Sequence, residues 1–407
     1  MSSRIVIKGN NIIDGKHKDA INKGCVVIVE NKILYVGKQE DCQILPEDEI
    51  IDGEAVIPGL IDCHVHFCLN GEANYFQSFL NSTLSTFAIQ ASVYAKRLLE
   101  AGFTTVRSVG EPGYMGISLR DCINQGSIPG PRIYTSGQLL SITGGNADWL
   151  PQWQHSDIAL AMFSDGVEEV RKSVRKLVGS GVDFIKMLAT AGVMGKGTEP
   201  GAQNYNYDEI KTAVYEAHKL RKKIATHAEG LLGTKNCIKA GVDTIEHGIE
   251  LDDEAIEMMK DKGTYLVPTL VAPHNINIHG VKAGIPELAV KKSMEAEKRH
   301  IESFKKAYRA GVNIAMGTDT GTPFSRHGEG AKELELMVEQ GASPMEAIIF
   351  STKGGSEAIG IADKIGTIEV GKLADLVILN DNPLNDITIL QNKKMIKTVI
   401  KNGIREV

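Results

Sequence analysis

The chain has 407 residues, 42% of them hydrophobic, and a net charge of −6. That length suits one large domain with a small second one, and its core is ample to fold without disulfides or structural metals. The acidic balance, with no run of lysine or arginine, argues against a nucleic-acid partner. No apolar run reaches the roughly 18 residues of a membrane-spanning helix, which argues against a membrane partner. The six cysteines, Cys25, Cys42, Cys63, Cys68, Cys122 and Cys237, form no Cys-x-x-Cys pair. They read as reduced thiols of a cytoplasmic protein. Met1 to Asn11 alternates polar with apolar residues and lacks the apolar centre of a signal peptide.

Residues 1–57 read as short antiparallel strands. Arg4–Lys8, Cys25–Val29 and Ile33–Gly37 alternate or run apolar, with Asp14-Gly15 and Glu30-Asn31-Lys32 as turns. A buried strand is then expected at Leu60–Phe67. Side chains alternate along a strand, so His64 and His66 share a face, about 6–7 Å apart by strand rise. Two imidazoles so placed can chelate one divalent ion. Left unpartnered in an apolar strand they would be costly to bury.

Strands are further expected at Thr104–Val109, Arg132–Gly137, Phe184–Leu188, Ile224–Ala228, Thr244–Gly248, Tyr265–Val271 and Ile314–Asp319. Helical patterns such as Val167–Gly179 and Tyr207–Lys222 lie between them. Ala101-Gly102, Ala240-Gly241 and Ala310-Gly311 repeat a helix-end, glycine, strand pattern, with glycine as the C-cap. Eight strands alternating with helices predict a TIM-like (β/α)8 barrel over 58–361. Ile365–Ile368, Ala374–Leu379 and Ile396–Lys401 return to strand texture. Neither end carries enough apolar residues for a sheet core of its own, which favours one composite β domain from 1–57 and 362–407.

Several titratable residues sit in these strands. Lys186 stands alone among apolar neighbours, where a lysine is expensive to bury. His227, His247 and Asp319 fall at the ends of apolar runs, as metal ligands, satisfied core histidines or a helix cap would.

Pro58-Gly59-Leu60-Ile61-Asp62-Cys63-His64-Val65-His66 resembles the signature of the amidohydrolase superfamily, metal-dependent hydrolases on a TIM-like barrel. Gly366–Val377 resembles the same superfamily's C-terminal signature. The resemblance implies a composite β-sandwich beside the barrel. It also implies a metal set of His64, His66, Lys186, His227, His247 and Asp319. His64, His66 and Asp319 would hold one ion and His227 and His247 a second. Lys186, carboxylated by carbon dioxide to a carbamate, would bridge them. Imidazole and carboxylate donors suit zinc, with manganese, cobalt or iron as alternatives. A hydroxide shared by the two ions would be the nucleophile, and Asp319 would accept its proton and pass it to the leaving amine.

The loops narrow the reading less. Leu139–Trp149 and Ala189–Gly195 are glycine-rich, and their backbone N–H groups are candidates for binding a carboxylate. With His327, they resemble those of metal-dependent dipeptidases and carboxypeptidases, including prolidase-like and arginine-releasing enzymes. That resemblance makes Thr143, Gly144, Gly145, Asn146 and His327 candidate substrate contacts. Relatives often carry His-Gly-Asp where this chain has Asn146-Ala147-Asp148, and Asn146 cannot be cationic. The expected reaction is release of a C-terminal amino acid, arginine or lysine first, from a small peptide or N-acyl amino acid. Glu72, Asp148, Glu250 and Glu329 are candidate acidic walls for a basic residue. A cyclic-amide hydrolase of the imidazolonepropionase type is the first alternative, and a non-catalytic homo-oligomeric scaffold the second.

Overall fold

The computed structural model describes residues 4–150, 156, 158–194 and 199–406. Met1–Ser3 and Val407 of the expected composite domain, and Gly195 of the second glycine-rich loop, lie outside the described residues.

The first four strands, β1 (Arg4–Ile12), β2 (Ile21–Val29), β3 (Lys32–Lys38) and β4 (Glu49–Pro58), belong to one sheet. The chain then alternates strand and helix. It passes through β5 (Leu60–Val65), β6 (Phe103–Ser108), β7 (Arg132–Thr135), β8 (Leu139–Ser141) and β9 (Ala161–Phe163). It continues through β10 (Ile185–Leu188), β11 (Ile224–Ala228), β12 (Thr244–His247) and β13 (Tyr265–Val267). Three last strands, β14 (Leu376–Leu379), β15 (Ile396–Lys401) and β16 (Ile404–Arg405), rejoin the first sheet. Its order is β16-β15-β14-β4-β1-β2-β3. Both chain ends supply its buried apolar layer: Ile7, Val26 and Val56 pack with Leu376, Ile378 and Ile400. Neither end could close that layer alone.

The central strands pair in parallel, β5-β6-β7 in one sheet and β13-β12-β11-β10-β8-β9 in another. Asp183 N–H donates to Thr135 O at 2.8 Å, connecting the approach to β10 with β7. On the other side, Leu266 N–H donates to Asn313 O and Ala315 N–H to Leu266 O. Cys63 N–H donates to Met316 O and His66 N–H to Thr320 O, so the hydrogen bonding returns to β5. β5, β6, β10, β11 and β12 are buried along their whole length, as parallel strands covered on both faces should be. Gly241 and Gly311 end their helices at φ 94 and 78, left-handed values that favour glycine.

Four expectations need correction. The strand expected at Ile365–Ile368 is a bend. No strand is assigned at 314–319, which carries one isolated bridge at Ile314, with the next at Thr320. Thr318 N–H donates to the Asp62 carboxylate rather than to a neighbouring strand, and Asp319 takes φ 56. The strand expected at Tyr265–Val271 stops at Val267, because Leu270 and Val271 N–H groups turn to the Glu333 carboxylate and start a helix, Val271–His279. The six cysteines are not all thiols. Cys25 and Cys42 form a disulfide, their Cα atoms 6.5 Å apart. Pairing of β2 with β3 sets Cys25 opposite Gly37, and the turn at Gln39–Asp41 then brings Cys42 back to it, an arrangement not visible in cysteine spacing. Cys63, Cys68, Cys122 and Cys237 are free. No described helix is long and apolar enough to cross a membrane.

Candidate metal centre

The centre forms where the central strands end. His64 lies in β5, and His66 follows one residue beyond it on the same face. Asp62, at the same parity, is fully buried and ties the strand to the 314–320 segment. It accepts from His64 N–H at 3.0 Å, Thr318 N–H at 3.1 Å and Thr318 Oγ1 at 2.6 Å. This anchoring brings Asp319 to the histidines. His64 Nε2 and His66 Nε2 each lie 3.3 Å from Asp319 Oδ1. The three ligand atoms fall within 4.8 Å of one another, the one such group of histidine, cysteine or acidic side chains among the described residues. Two ligands each about 2.0–2.1 Å from a tetrahedral zinc would be separated by about as much, so the triad fits a divalent ion.

His227, in β11, and His247, at the end of β12, complete the cluster. Their ring centroids are 4.5 Å apart, and those of His64 and His247 are 5.0 Å apart. Lys186, in β10, is 1% exposed, and its Nζ has no hydrogen-bond partner. His227 Nε2 has none either. Two orphaned polar atoms in a buried cluster are what removal of a metal and a carbamate would leave. All six residues expected as ligands therefore line one cavity.

The surroundings orient these side chains. His64 Nδ1 is 2.7 Å from Glu246 Oε2, His247 Nδ1 is 2.7 Å from Thr269 Oγ1, and His66 Nδ1 is 3.2 Å from Gly110 O. Each bond leaves Nε2 free to ligate. Arg107 holds Glu246 in turn, at 2.6 Å, and also donates to Cys63 O at 2.6 Å. His247, Thr269 and Asp319 all have positive φ, at 70, 52 and 56. Non-glycine residues hold this conformation at a cost and do so most often at functional sites.

Burial dominates the electrostatics. It pushes Lys186 down to about 8, against the attraction of Glu246. It pushes His227 down to about 3, with Lys186 adding to the effect. For Glu246, burial acts upward but Arg107, Lys186 and His64 hold the carboxyl well below the usual range. Asp319 is likewise held low by His64 and His66 despite its burial.

The expected substrate contacts fare differently. Asn146 lines the cavity. Thr143, Gly144 and Gly145 do not, and their N–H groups are already bonded, to Asp165 Oδ1, Asp148 Oδ2 and Ile142 O. The expectation of free donors there is corrected. His327 packs behind the centre, stacked on Tyr94 at 4.1 Å, with its Nε2 3.1 Å from His66 O. It supports the His66 backbone and does not line the cavity. None of Glu72, Asp148, Glu250 and Glu329 lines it either. The walls are largely apolar, including Leu139, Leu160, Leu188, Met194, Ile249 and Ile276.

Four residues without an assigned role in the sequence reading matter here: Arg107, Glu246, Thr269 and Glu229. Arg107 and Glu246 each put a charge inside an apolar strand, a signal that was readable. Glu229 follows β11 directly and lines the cavity.

Chemically this is the equipment of a hydrolase. The chain belongs to the Amidohydrolase family, whose sequence pattern matches residues 55–405, and it is an enzyme of the hydrolase class. It is 31% identical to the ochratoxinase of Aspergillus niger over 414 residues, spanning 95% of this chain and 83% of that protein. Its fold is similar to a Xaa-Pro dipeptidase with methionine bound in its active site, with a TM-score of 0.91, 35% identity and 99% of both chains covered. It is also similar to a prolidase complexed with N-methylphosphonate-L-proline, with a TM-score of 0.91, 30% identity and 99% of both chains covered.

Proposed function

We propose that this chain hydrolyses an amide bond and releases a C-terminal amino acid from a dipeptide, a short peptide or an N-acyl amino acid. The observation that carries this reading is the convergence of His64, His66, Lys186, His227, His247 and Asp319 on one cavity. The family, and the dipeptidase and prolidase structures that this chain resembles, point the same way. We propose as the frame a (β/α)8 barrel over 58–361, with 1–57 and 362–407 as a composite β domain.

His64, His66 and Asp319 would hold one divalent ion and His227 and His247 another, with Lys186 between them. Zinc suits these donors. Such ions supply Lewis acidity toward the carbonyl and make water nucleophilic near neutral pH. Burial lowers Lys186 to about 8, toward the neutral amine that carbon dioxide would carboxylate. Asp319 takes the proton from the attacking water and delivers it to the amide nitrogen. The C–N bond breaks, and the amine leaves with that proton. The apolar walls exclude water and favour an apolar released side chain. Apart from Glu229 and the metal-site residues they offer a guanidinium or a lysine ammonium little, so arginine or lysine release is not the reading we favour.

The test is amino-acid release by the metal-loaded chain from Xaa–Met, Xaa–Pro, Xaa–Phe, Xaa–Arg and Xaa–Lys dipeptides and the matching N-acyl amino acids. Release of methionine, proline or phenylalanine is expected. Best turnover of the basic peptides would overturn the apolar reading, and turnover of cyclic amides alone would overturn peptide hydrolysis.

A further inference from the structure

Glu229 is buried, 5% exposed, and lines the same cavity as the six metal-site residues. Its Oε1 is 3.5 Å from His227 Nε2, while Oε2 has no hydrogen-bond partner. A buried carboxylate oxygen without a partner is expensive to keep unless something arrives to fill it. Of the carboxylates lining the cavity, Asp319 is committed to His64 and His66, which leaves Glu229 as the one with an unpartnered, buried oxygen.

Gly192 packs closely against this part of the cavity wall. A Cβ added there would sit 2.9 Å from His227 Cε1, 3.0 Å from Asn146 Nδ2 and 3.1 Å from Glu229 Oε1. The three side chains thus gather closely around Gly192, a carboxylate and an amide side by side in the wall of the cavity. This part of the wall adjoins His227, where the proposed metal site would place the scissile carbonyl. In a dipeptide the α-ammonium is two bonds from that carbonyl carbon. In an N-acyl substrate the same place holds no cation.

We propose that Glu229 is a specificity-determining residue that receives the free α-ammonium group of the substrate, with Asn146 flanking it. This rests on the amide-hydrolase reading and narrows it: the preferred substrate is a dipeptide with an unblocked amino terminus. An N-acylated analogue would leave the carboxylate buried and unpaired, which penalises it.

The experiment compares alanyl-methionine with N-acetyl-alanyl-methionine, which share a scissile bond, on the metal-loaded wild-type chain and on Glu229→Gln. Wild type is expected to favour the free amine by tenfold or more in kcat/KM. E229Q is expected to lose most of that preference through KM on the free peptide, with little change on the blocked one. Metal content, measured on both proteins, should be equal. Equal turnover of the two peptides by wild type, or an equal loss on both in E229Q, would overturn the proposal, as would loss of metal in E229Q. Calorimetric binding of the two peptides to the metal-free chain gives a readout separate from turnover. Preference for the free amine that disappears in E229Q supports the anchor even where no peptide is cleaved, an outcome that would sink the hydrolase reading alone. Equal binding of both peptides would sink the anchor.

Discussion

His64 Nδ1 and Glu246 Oε2 are 2.7 Å apart, and the other oxygen of Glu246 takes an N–H of Arg107 at 2.6 Å. All three side chains are buried. The pair fixes which ring nitrogen of His64 faces Asp319. Glu246→Gln is therefore expected to lower metal affinity by roughly 10–100-fold, the usual cost of losing such an orienting partner. Retention of metal against a chelator measures it, and unchanged retention would remove Glu246 from the centre.

Arg107 neutralises Glu246 inside the core. Arg107→Met leaves that carboxylate with His64 and Thr244 but without its guanidinium, and breaking a buried pair costs about 3–5 kcal/mol. A large fall in the denaturation midpoint of the metal-free protein is expected. A change under ~1 kcal/mol would show that Glu246 does not depend on Arg107.

Lys186 and Asp319 separate metal binding from proton transfer. Lys186→Met is expected to reduce metal content sharply and to abolish any gain in activity from bicarbonate during expression. Asp319→Asn keeps an oxygen ligand but loses the proton acceptor. A fall of about 10²–10⁴ in kcat is expected. Near-normal kcat in Asp319→Asn would take the proton-transfer role from it.

Much of this centre was legible in the chain. His64-Val65-His66 after Pro58-Gly59, and Lys186, His227, His247 and Asp319 in later apolar runs, are local signals readable from strand texture. The composite sheet was also readable, because neither end had enough apolar residues alone. What failed depended on partners distant in sequence. The Thr143 and Gly144 N–H groups looked free until Asp165 and Asp148 claimed them. His327 looked like a binding residue, yet it stacks on Tyr94 behind His66. Glu229, one residue past β11, reads in sequence like any carboxylate in a loop. The Cys25–Cys42 pair needed the register of β2 on β3.

Two histidines outside the metal set make stability depend on pH. Burial pushes His300 down to about 4 and His327 to about 3, against about 6.5 in an unfolded chain. Both are lowered, so their contribution is complete above about pH 6.5 and is lost as pH falls toward 4 and then 3. Between those limits the unfolded chain binds more protons, at up to about 1.4 kcal/mol per pH unit for each group. The melting temperature of the metal-free protein should fall steadily from pH 7 to pH 5. A flat profile over that range would mean that these imidazoles are reached by solvent.

Glu333 is fully buried and accepts from Leu270 N–H at 2.8 Å and Val271 N–H at 2.7 Å. It thereby pins the turn that carries Thr269, the partner of His247. Glu333→Ala leaves two buried donors unsatisfied, a cost of about 2–5 kcal/mol. Metal loss at the His247 side is expected with it. Full stability in the variant would show that water replaces the carboxylate.

The most direct test of the central claim is amino-acid release from an alanyl-methionine dipeptide by the full chain, before and after a chelator and again after divalent metal is restored. Hydrolysis is expected to stop with chelation and return with metal, at close to two ions per chain. Release that ignores the chelator, or a fully metal-loaded chain that cleaves no peptide, would contradict it.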